Sequence, residues 1–393
     1  NAPLQAGMAN PVDVAIAAGR TDRDDCSAYA KIDEIPYDFV RKRLSVVVRA
    51  KDGTDDLLIC KGAVQNVIDA CASVMAGAGT EPLDAAYAKA IDDRVKAWCL
   101  QGYRVLALAL RHFPPRDAYR REDESELALA GFLLFQDPPK EGMAESLKAL
   151  RRRGIKVKVI SGDNRYVAAH LAETIGLPRG NLLTGAELDK LTAEALFVRV
   201  RPTDLFAEID PNQKERIIAA LRRHGHVVGY LGDGINDAPA LHEADVGVSV
   251  DGAADVAREA ADMILLERNL DVLVGGIDDG RRTFANTMKY VSIATSANFG
   301  NMVSMAIASV ALPFLPLLAK QILLNNFLAD MPSLAIATDN VDAEQTRRPS
   351  RWNIAFVRRF MLTFGLVSSA FDFLTFGFLL FVLKATEATF QTG

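Results

Sequence analysis

Hydrophobic and polar positions fall into three regimes along the chain. Over roughly the first 130 residues, apolar runs such as Leu44 to Ala50, Leu57 to Cys60 and Arg104 to Leu110 have the length and composition of strands, which predicts a mixed α+β unit. From Gly131 onward, short apolar strands alternate with amphipathic helices. The strands are Gly131 to Phe135, Lys156 to Ile160, Leu205 to Ile209, His226 to Leu231 and Val246 to Val250; the helices include Glu141 to Arg152, Tyr166 to Ile175 and Gln213 to Arg223. This alternation predicts an α/β layer, a parallel sheet with helices on both faces. Asn164 and Asn212 stand where two of the helices need N-caps.

Near residue 290 the pattern changes again. Val291 to Leu318 carries no charge, and it exceeds the ~20 residues that cross a bilayer. Ile322 to Ala337 is shorter and contains Asn325, Asn326, Asp330 and Pro332, while Phe360 to Leu383 is apolar except for Asp372. Three membrane helices are expected, the first two joined by a hairpin around Pro316 to Lys320. Arg347, Arg348, Arg351, Arg358 and Arg359 crowd the link before the third helix, which puts that link and residues 1–285 on the cytoplasmic side of a plasma or inner membrane. The expected domains are therefore 1–131, 132–285 and 286–393.

Composition changes this picture little. A length of 393 residues suits two or three domains of roughly 100–200 residues. The net charge of −5 offers no basic footprint for nucleic acid. Cys26, Cys60, Cys71 and Cys99 form no C-x-x-C pair and have no histidine at zinc spacing, so reduced thiols are expected. The first residue is Asn1, with no charged-then-apolar leader behind it, and the start reads as a truncation.

The densest chemistry lies at Gly232 to Leu241, GDGINDAPAL, directly after the apolar run His226 to Leu231. A strand running into this turn puts Asp233 and Asp237 at the carboxyl edge of a sheet, where open α/β folds bind ligands. Hard oxygen ligands there suit Mg²⁺ and phosphate. A plain surface turn also favours Gly, Asn and Asp, but it does not call for this much acid. Two weaker features have two readings each: Arg41-Lys-Arg43 as a phosphate-attracting cluster or, preferred, the polar side of an edge strand, and His224 and His226 around Gly225 as a metal site or, preferred, exposed histidines at a glycine helix stop.

Five segments, taken in order, resemble the motifs of the P-type cation-transporting ATPases. Lys61-Gly-Ala63 is like the nucleotide-domain KGA, Asp137-Pro-Pro-Lys140 like a hinge between cytoplasmic domains, and Ser161-Gly-Asp-Asn164 like TGDN with serine for threonine. Phe206-Ala-Glu-Ile-Asp-Pro211 with Lys214 is like the segment that supplies a phosphate-contacting lysine, and GDGINDAPAL is like the hinge motif. The resemblance implies ATP and Mg²⁺ as cofactors and a haloacid-dehalogenase-like phosphorylation domain. In it, Asp233 would hold Mg²⁺, Asn236 and Asp237 would complete the outer shell, Lys214 and Ser161 would contact phosphate, and Asp163 would orient the cluster. In the nucleotide domain, Asn10 to Ile16 resembles a helix of relatives, Tyr37 would stack on adenine, Lys61 and Gly62 would line the pocket, and Arg104 would reach the phosphates. Val64 and Gln65 depart from the family's usual proline and glutamate.

The family's phosphate-accepting aspartate lies in a DKTG-type sequence on the first strand of the sheet, and this sequence contains none. The resemblance therefore implies a carboxyl-terminal part of a pump, without that strand and the actuator domain, and inactive alone.

A carboxylate in a bilayer costs roughly 2.5 to 3.5 kcal/mol on insertion scales, so Asp330 calls for a reason. Pro332 breaks the helix and frees carbonyl oxygens. Asn326 lies one turn before Asp330, and Asn298 and Asn301 share a face of the preceding helix. These four groups are expected to converge into an oxygen cage for a divalent cation; amide bonding between helices is the alternative for the asparagines. Asn326 to Pro332 resembles the family's unwound cation-binding helix. Asn298 to Asn301, Asp339 to Asp342, Arg351 to Asn353 and Ser368 to Phe373 resemble the bacterial magnesium-transporting branch, which implies ATP-driven Mg²⁺ import. A Ca²⁺ or proton pump, a membrane-tethered phosphatase and a regulatory fragment are the competing classes.

Overall fold

Three antiparallel neighbours, β1 (Tyr29–Asp38), β2 (Arg43–Ala50) and β3 (Asp56–Ala63), follow a short helix α1 (Pro11–Ala18). Helix α2 (Val64–Ile68), β4 (Cys71–Ala76), β5 (Gly79–Pro82), helix α3 (Ala85–Leu100), β6 (Tyr103–Phe113) and β7 (Leu127–Gln136) complete a seven-stranded sheet of order β1-β2-β3-β6-β7-β4-β5. This computed structural model describes residues 11–18, 28–38, 40–77, 79–177, 181–267 and 269–392; Asn10 and Cys26 lie outside the described residues. Side chains alternate across a strand, so β2 feeds two cores. Val47 joins Leu58, Cys60, Ala107, Ala109, Leu127 and Leu129 on one face, while Leu44, Val46 and Val48 cluster with Leu57 and Ile59 on the other.

Gly131 to Phe135, expected to open the parallel sheet, belongs instead to β7, which pairs antiparallel with β6 and parallel with β4. The reason is local. An antiparallel partner needs only a short connection, whereas a parallel one needs a crossover element.

After α4 (Met143–Arg152), most of which belongs to the second of two compact units, come β8 (Val159–Ile160), α5 (Arg165–Thr174), β9 (Asn181–Thr184), α6 (Gly185–Leu188), α7 (Ala193–Val200), β10 (Thr203–Ala207), α8 (Pro211–Arg223), β11 (Gly229–Leu231), α9 (Ala238–Glu243), β12 (Val246–Val250), α10 (Asp255–Glu259) and β13 (Met263–Leu265). The expected single sheet is two: β8-β10-β9 and β11-β12-β13. The ladders β8–β10, β10–β9 and β11–β12 are parallel. Both sheets share one core, in which Leu183, Phe206, Ile209, Ile217, Tyr230 and Leu241 are buried. β8 and β11 are edge strands of two and three residues, shorter than the runs Lys156 to Ile160 and His226 to Leu231 suggest.

Asn164 does cap α5, accepting from the Tyr166 amide at 3.0 Å. Asn212 does not cap α8. Asp210 does, accepting from Gln213 N–H at 2.8 Å while Gln213 Oε1 accepts from Asp210 N–H at 3.0 Å, because Pro211 already occupies the first helical position.

The second unit comprises Glu145–Val157 and Ile264–Gly393. It holds α11 (Leu270–Ala311), α12 (Ala319–Ser333), α13 (Ala343–Arg347), α14 (Ile354–Gly377) and α15 (Glu387–Thr392). α11 is one helix of 42 residues, beginning well before its apolar stretch. Arg153, just after α4, grips Asp278 of α11 with its Nε at 2.7 Å, and Arg281 donates to Arg153 O at 2.8 Å. Among the described residues, one helical stretch is long and apolar enough to cross a membrane, Ile354–Val382, against the three spans expected. α12 has 15 residues and tightens into a 3₁₀ turn (Leu334–Thr338) soon after Pro332, which leaves it short of the ~20 a span needs.

α11 packs along α14 through small residues. Ser292, Ser296, Gly300, Ser304 and Ala308 recur every four positions and are buried. A Cβ on Gly365 would stand 2.7 Å from the Phe299 ring and 3.0 Å from Ser296 O, so glycine lets the backbones close up. Ser369 Oγ then donates to Gly300 O at 2.9 Å.

Candidate functional site

The chain leaves β8 through Ser161 to Asn164, and this turn is fastened to the end of β10. Ser161 N–H donates to Phe206 O at 2.9 Å, Ile209 N–H to Ser161 O at 3.1 Å, and Glu208 N–H to Asp163 O at 2.9 Å. Glu208 does so at φ 58°, a left-handed conformation that a non-glycine residue adopts only when its surroundings compel it. Arg165 holds the Glu208 carboxylate, its Nη2 at 3.1 Å. Inside the turn Ser161 Oγ donates to Asp163 Oδ2 at 2.9 Å, and Arg104 of β6 donates to the same oxygen at 2.7 Å.

The second turn begins where β11 ends. Gly232 is required there: a Cβ would stand 2.6 Å from Asp237 Cβ and 2.9 Å from the Tyr230 ring. The turn folds back so that Asp237 is only 9% exposed. Its Oδ1 accepts from Lys214 Nζ at 2.7 Å and from the Tyr230 hydroxyl at 2.7 Å, and its Oδ2 from Gly234 N–H at 3.0 Å. Burial works to raise the Asp237 carboxyl, but the bonds from Lys214, Tyr230 and Gly234 outweigh it and hold the group below the usual carboxylate range. Burial, helped by the bond to Asp237, pushes the Tyr230 hydroxyl well up.

Asp233 and Asn236 are exposed beside this network. Among the described residues the Asp233 carboxylate has no hydrogen bond or ion pair, so a hard oxygen donor stands free in the same turn as Asp237, the partner of Lys214. That donor set suits Mg²⁺, which takes one or two carboxylates plus phosphate oxygens rather than a protein cage. The structure thus joins Lys214 to Asp237, and Ser161 to Asp163 and Arg104. No hydrogen bond or ion pair among the described residues links the two groups.

On the seven-stranded sheet, Lys61 pairs with Leu108, which puts Arg104 on the same face by alternation. The irregularity between Ile35 and Asp38 shifts β1 by one, turning Tyr37, 49% exposed, toward that face as well. Gly62 permits the close approach of β2, since a Cβ would stand 2.5 Å from Arg43 Cβ. The Lys61 ammonium is buried and ion-paired with Asp13 of α1.

Arg41 and Arg43 are not an idle edge. Both bind the buried Glu124, Arg43 Nε at 3.0 Å, with Ser45 Oγ donating at 2.7 Å. His224 ends α8 ahead of Gly225 as expected, yet it is half-buried, stacked on Phe197 with ring centroids 3.6 Å apart.

The membrane groups differ in exposure. Asn298 and Asp330 are exposed, Asn301 and Asn326 are half-buried, and α11 gives its close-packing face to α14 instead of α12. Helix α12 also continues through Pro332 to Ser333. Glycine contacts explain the pairing, because α14 offers Gly365 where α12 offers nothing as small.

Sequence reasoning missed Tyr230, Glu124 and Glu208. Tyr230 lies only seven residues from Asp237 but reads as one more apolar strand position; Glu124 carries no local signal, since its partners Arg41, Arg43 and Ser45 lie 83, 81 and 79 residues away; Glu208 shows only as a polar residue before a helix start.

A family model described as P-type ATPase, cytoplasmic domain N, matches residues 15–142, and one described as cation transporting ATPase, C-terminus, matches residues 314–393. The magnesium-transporting ATPase, P-type 1, of Escherichia coli strain K12 is 46% identical over 401 residues, covering 100% of this chain and 44% of its own length. The protein of the same name from Salmonella typhimurium strain LT2 is also 46% identical with the same coverage. The probable cation-transporting ATPase F of Mycobacterium tuberculosis strain H37Rv is 34% identical over 352 residues, 86% of this chain and 38% of that protein. The chain spans less than half the length of these curated relatives.

Proposed function

Because this chain belongs to the P-type cation-transporting ATPases, we propose that it forms the nucleotide-binding, phosphate-handling and part of the membrane region of a pump that couples ATP hydrolysis to cation transport, with Mg²⁺ as the cargo and the cytoplasm as its destination. The nucleotide-binding part runs to the end of β7, the haloacid-dehalogenase-like phosphorylation part from Asp137 to about residue 285, and the membrane part from 286 to 393. The observation that carries the reading is the Lys214–Asp237 pair, fixed at the end of β11 beside the free carboxylate of Asp233.

Phosphoryl transfer needs alignment and charge neutralisation more than proton transfer. Tyr230 and Gly234 fix the Asp237 carboxylate, and Asp237 in turn aims Lys214, a compact cation suited to phosphate oxygens. Bound Mg²⁺ would supply further charge neutralisation, with Asp233 holding it and Asn236 in the outer shell. Ser161 offers its hydroxyl to the same phosphoryl group, and Asp163 orients it. Arg104 exchanges Asp163 for a nucleotide phosphate, while Tyr37 stacks on the base and Lys61 with Gly62 shapes the pocket. The phosphate-accepting aspartate belongs to the part of the pump outside this sequence. Its strand would pair along the open edges of β8 and β11, which accounts for two half-sheets over one core.

Asn298 and Asn301 on α11, with Asn326 and Asp330 on α12, are the proposed cation-handling groups. The multi-pass region sits in the plasma or inner membrane, with residues 1–285 cytoplasmic. The full-length pump, reconstituted in vesicles, tests all of this together. Mg²⁺ uptake should require ATP and outcompete Ca²⁺, and Lys214→Ala should lower phosphoenzyme formation by about 10²–10³. Unchanged phosphorylation in that variant overturns the role of Lys214. Preferred uptake of Ca²⁺ or protons overturns the cargo.

A further inference from the structure

Asp372 is an ionisable group inside Ile354–Val382, which among the described residues is the stretch long and apolar enough to span a membrane, and nothing in the proposed transport scheme uses it. Such a group is costly in lipid and persists where it has a partner or a task. Its partner is on α11: Ser304, itself 2% exposed, donates its hydroxyl to Asp372 Oδ2 at 2.6 Å. A neutral hydroxyl does not neutralise a carboxylate. Around this pair the α11–α14 interface is held close by Gly300 and Gly365, so Asp372 is presented to α11 at a fixed depth.

A second group points to a ligand at the same place. Asn301 lies three residues before Ser304 on α11 and therefore shares its face, with Cβ atoms about 5–6 Å apart in helical geometry. Asn301 is half-buried, and its carboxamide makes no hydrogen bond among the described residues. Polar side chains in membrane helices ordinarily bond across the interface, as the Ser369 hydroxyl does to Gly300 O. Here a carboxylate and a hydroxyl meet across the interface, with an unused amide one turn away on the hydroxyl's own helix. All are hard oxygen donors.

We infer that Asp372, Ser304 and the Asn301 carboxamide form a divalent-cation site between α11 and α14, with Asp372 supplying the charge and Ser304 aiming it. The site rests on the transport reading above and adds to it a carboxylate on a helix that carries none of the proposed cation-handling groups. Asp330, exposed on α12, would hand on or receive the ion rather than hold it alone.

The test uses the full-length pump in vesicles, with MgATP constant on the side of the ATP-handling domains and Mg²⁺ varied on the other. Asp372→Asn keeps the size of the side chain and still accepts from Ser304, so it removes charge without opening the interface. It should raise the Mg²⁺ concentration for half-maximal uptake by at least about tenfold, leaving the KM for ATP and the phosphoenzyme formed at saturating Mg²⁺ unchanged. Ser304→Ala and Asn301→Ala should each raise it by about two- to fivefold. A structural role predicts instead a lower maximal rate and lower thermal stability at an unchanged half-saturation, and that result overturns the site. A wild-type pump whose ATP hydrolysis ignores Mg²⁺ on the far side would overturn the transport reading along with it.

Discussion

Replacing Lys214 by methionine removes the cation from beside a carboxylate that is only 9% exposed, while keeping the aliphatic stem that packs at the turn. Stranding one member of a buried pair costs roughly 3–5 kcal/mol. Protonation sets a ceiling on that figure. Neutralising a carboxyl costs about 1.4 kcal/mol per pH unit above its unfolded pKa, near 4. The ceiling is therefore about 4 kcal/mol at pH 7 and about 1.5 kcal/mol at pH 5. In the native chain the Asp237 carboxyl is lowered, so its stabilising contribution is complete above the unfolded pKa and is lost only as pH falls through the lower folded value. Between pH 5 and 7 the native protein is thus level with respect to this group. The variant, in which the same carboxyl is raised, regains stability as pH falls. Hydrogen exchange of the peptides covering β11 and α8, in the whole chain, should show a penalty at pH 7 that shrinks by about 2–3 kcal/mol at pH 5. Adding Asp237→Asn should recover most of it at pH 7. An equal penalty at both pH values, or no recovery in the double variant, refutes the view that a buried charge organises this turn.

Two further outcomes follow from contacts elsewhere. Gly62→Ala should destabilise the seven-stranded sheet by about 1–3 kcal/mol, because its Cβ would stand 2.5 Å from Arg43 Cβ and 2.6 Å from Lys42 O; an unchanged denaturation midpoint counts against the close approach. Arg104→Gln breaks an ion pair whose arginine is 49% exposed, so stability should move by less than about 1 kcal/mol. Titration with ATP should nevertheless show weaker binding, and retained affinity removes Arg104 from the nucleotide site.

What the sequence reveals depends on how local the cause is. Val246 to Val250 is found residue for residue, and Asn164 as a cap, because each follows from neighbours in the chain. The turn at Gly232 is legible because strand, glycine and acids are contiguous. Lys214 is legible only through its position just after the Asp210-capped, Pro211-led helix start. The Asp13 partner of Lys61 lies 48 residues away, and the Glu124 partner of Arg43 lies 81 away, so both are invisible to spacing. Apolar periodicity finds β7 but not its sheet, since an apolar strand pairs equally well in either. The same limit applies in the apolar segment, where residue type identifies Asn301 as unusual but not which helix faces it. That choice was made by Gly300 and Gly365, whose missing side chains decide which backbones can meet.

α11 gives the second unit a mechanical property. It runs unbroken for 42 residues, and within it lie both the turn that Arg153 grips at Asp278 and the turn where Ser304 meets Asp372. These two points are 26 residues apart, about 39 Å at 1.5 Å per residue. A rod of that length tilting by about 5° about one end displaces the other by about 3 Å, roughly the width of an oxygen-to-oxygen contact. Small swings at the arginine would thus be enough to make or break a coordination shell at the carboxylate, with no need for the helix to bend or melt.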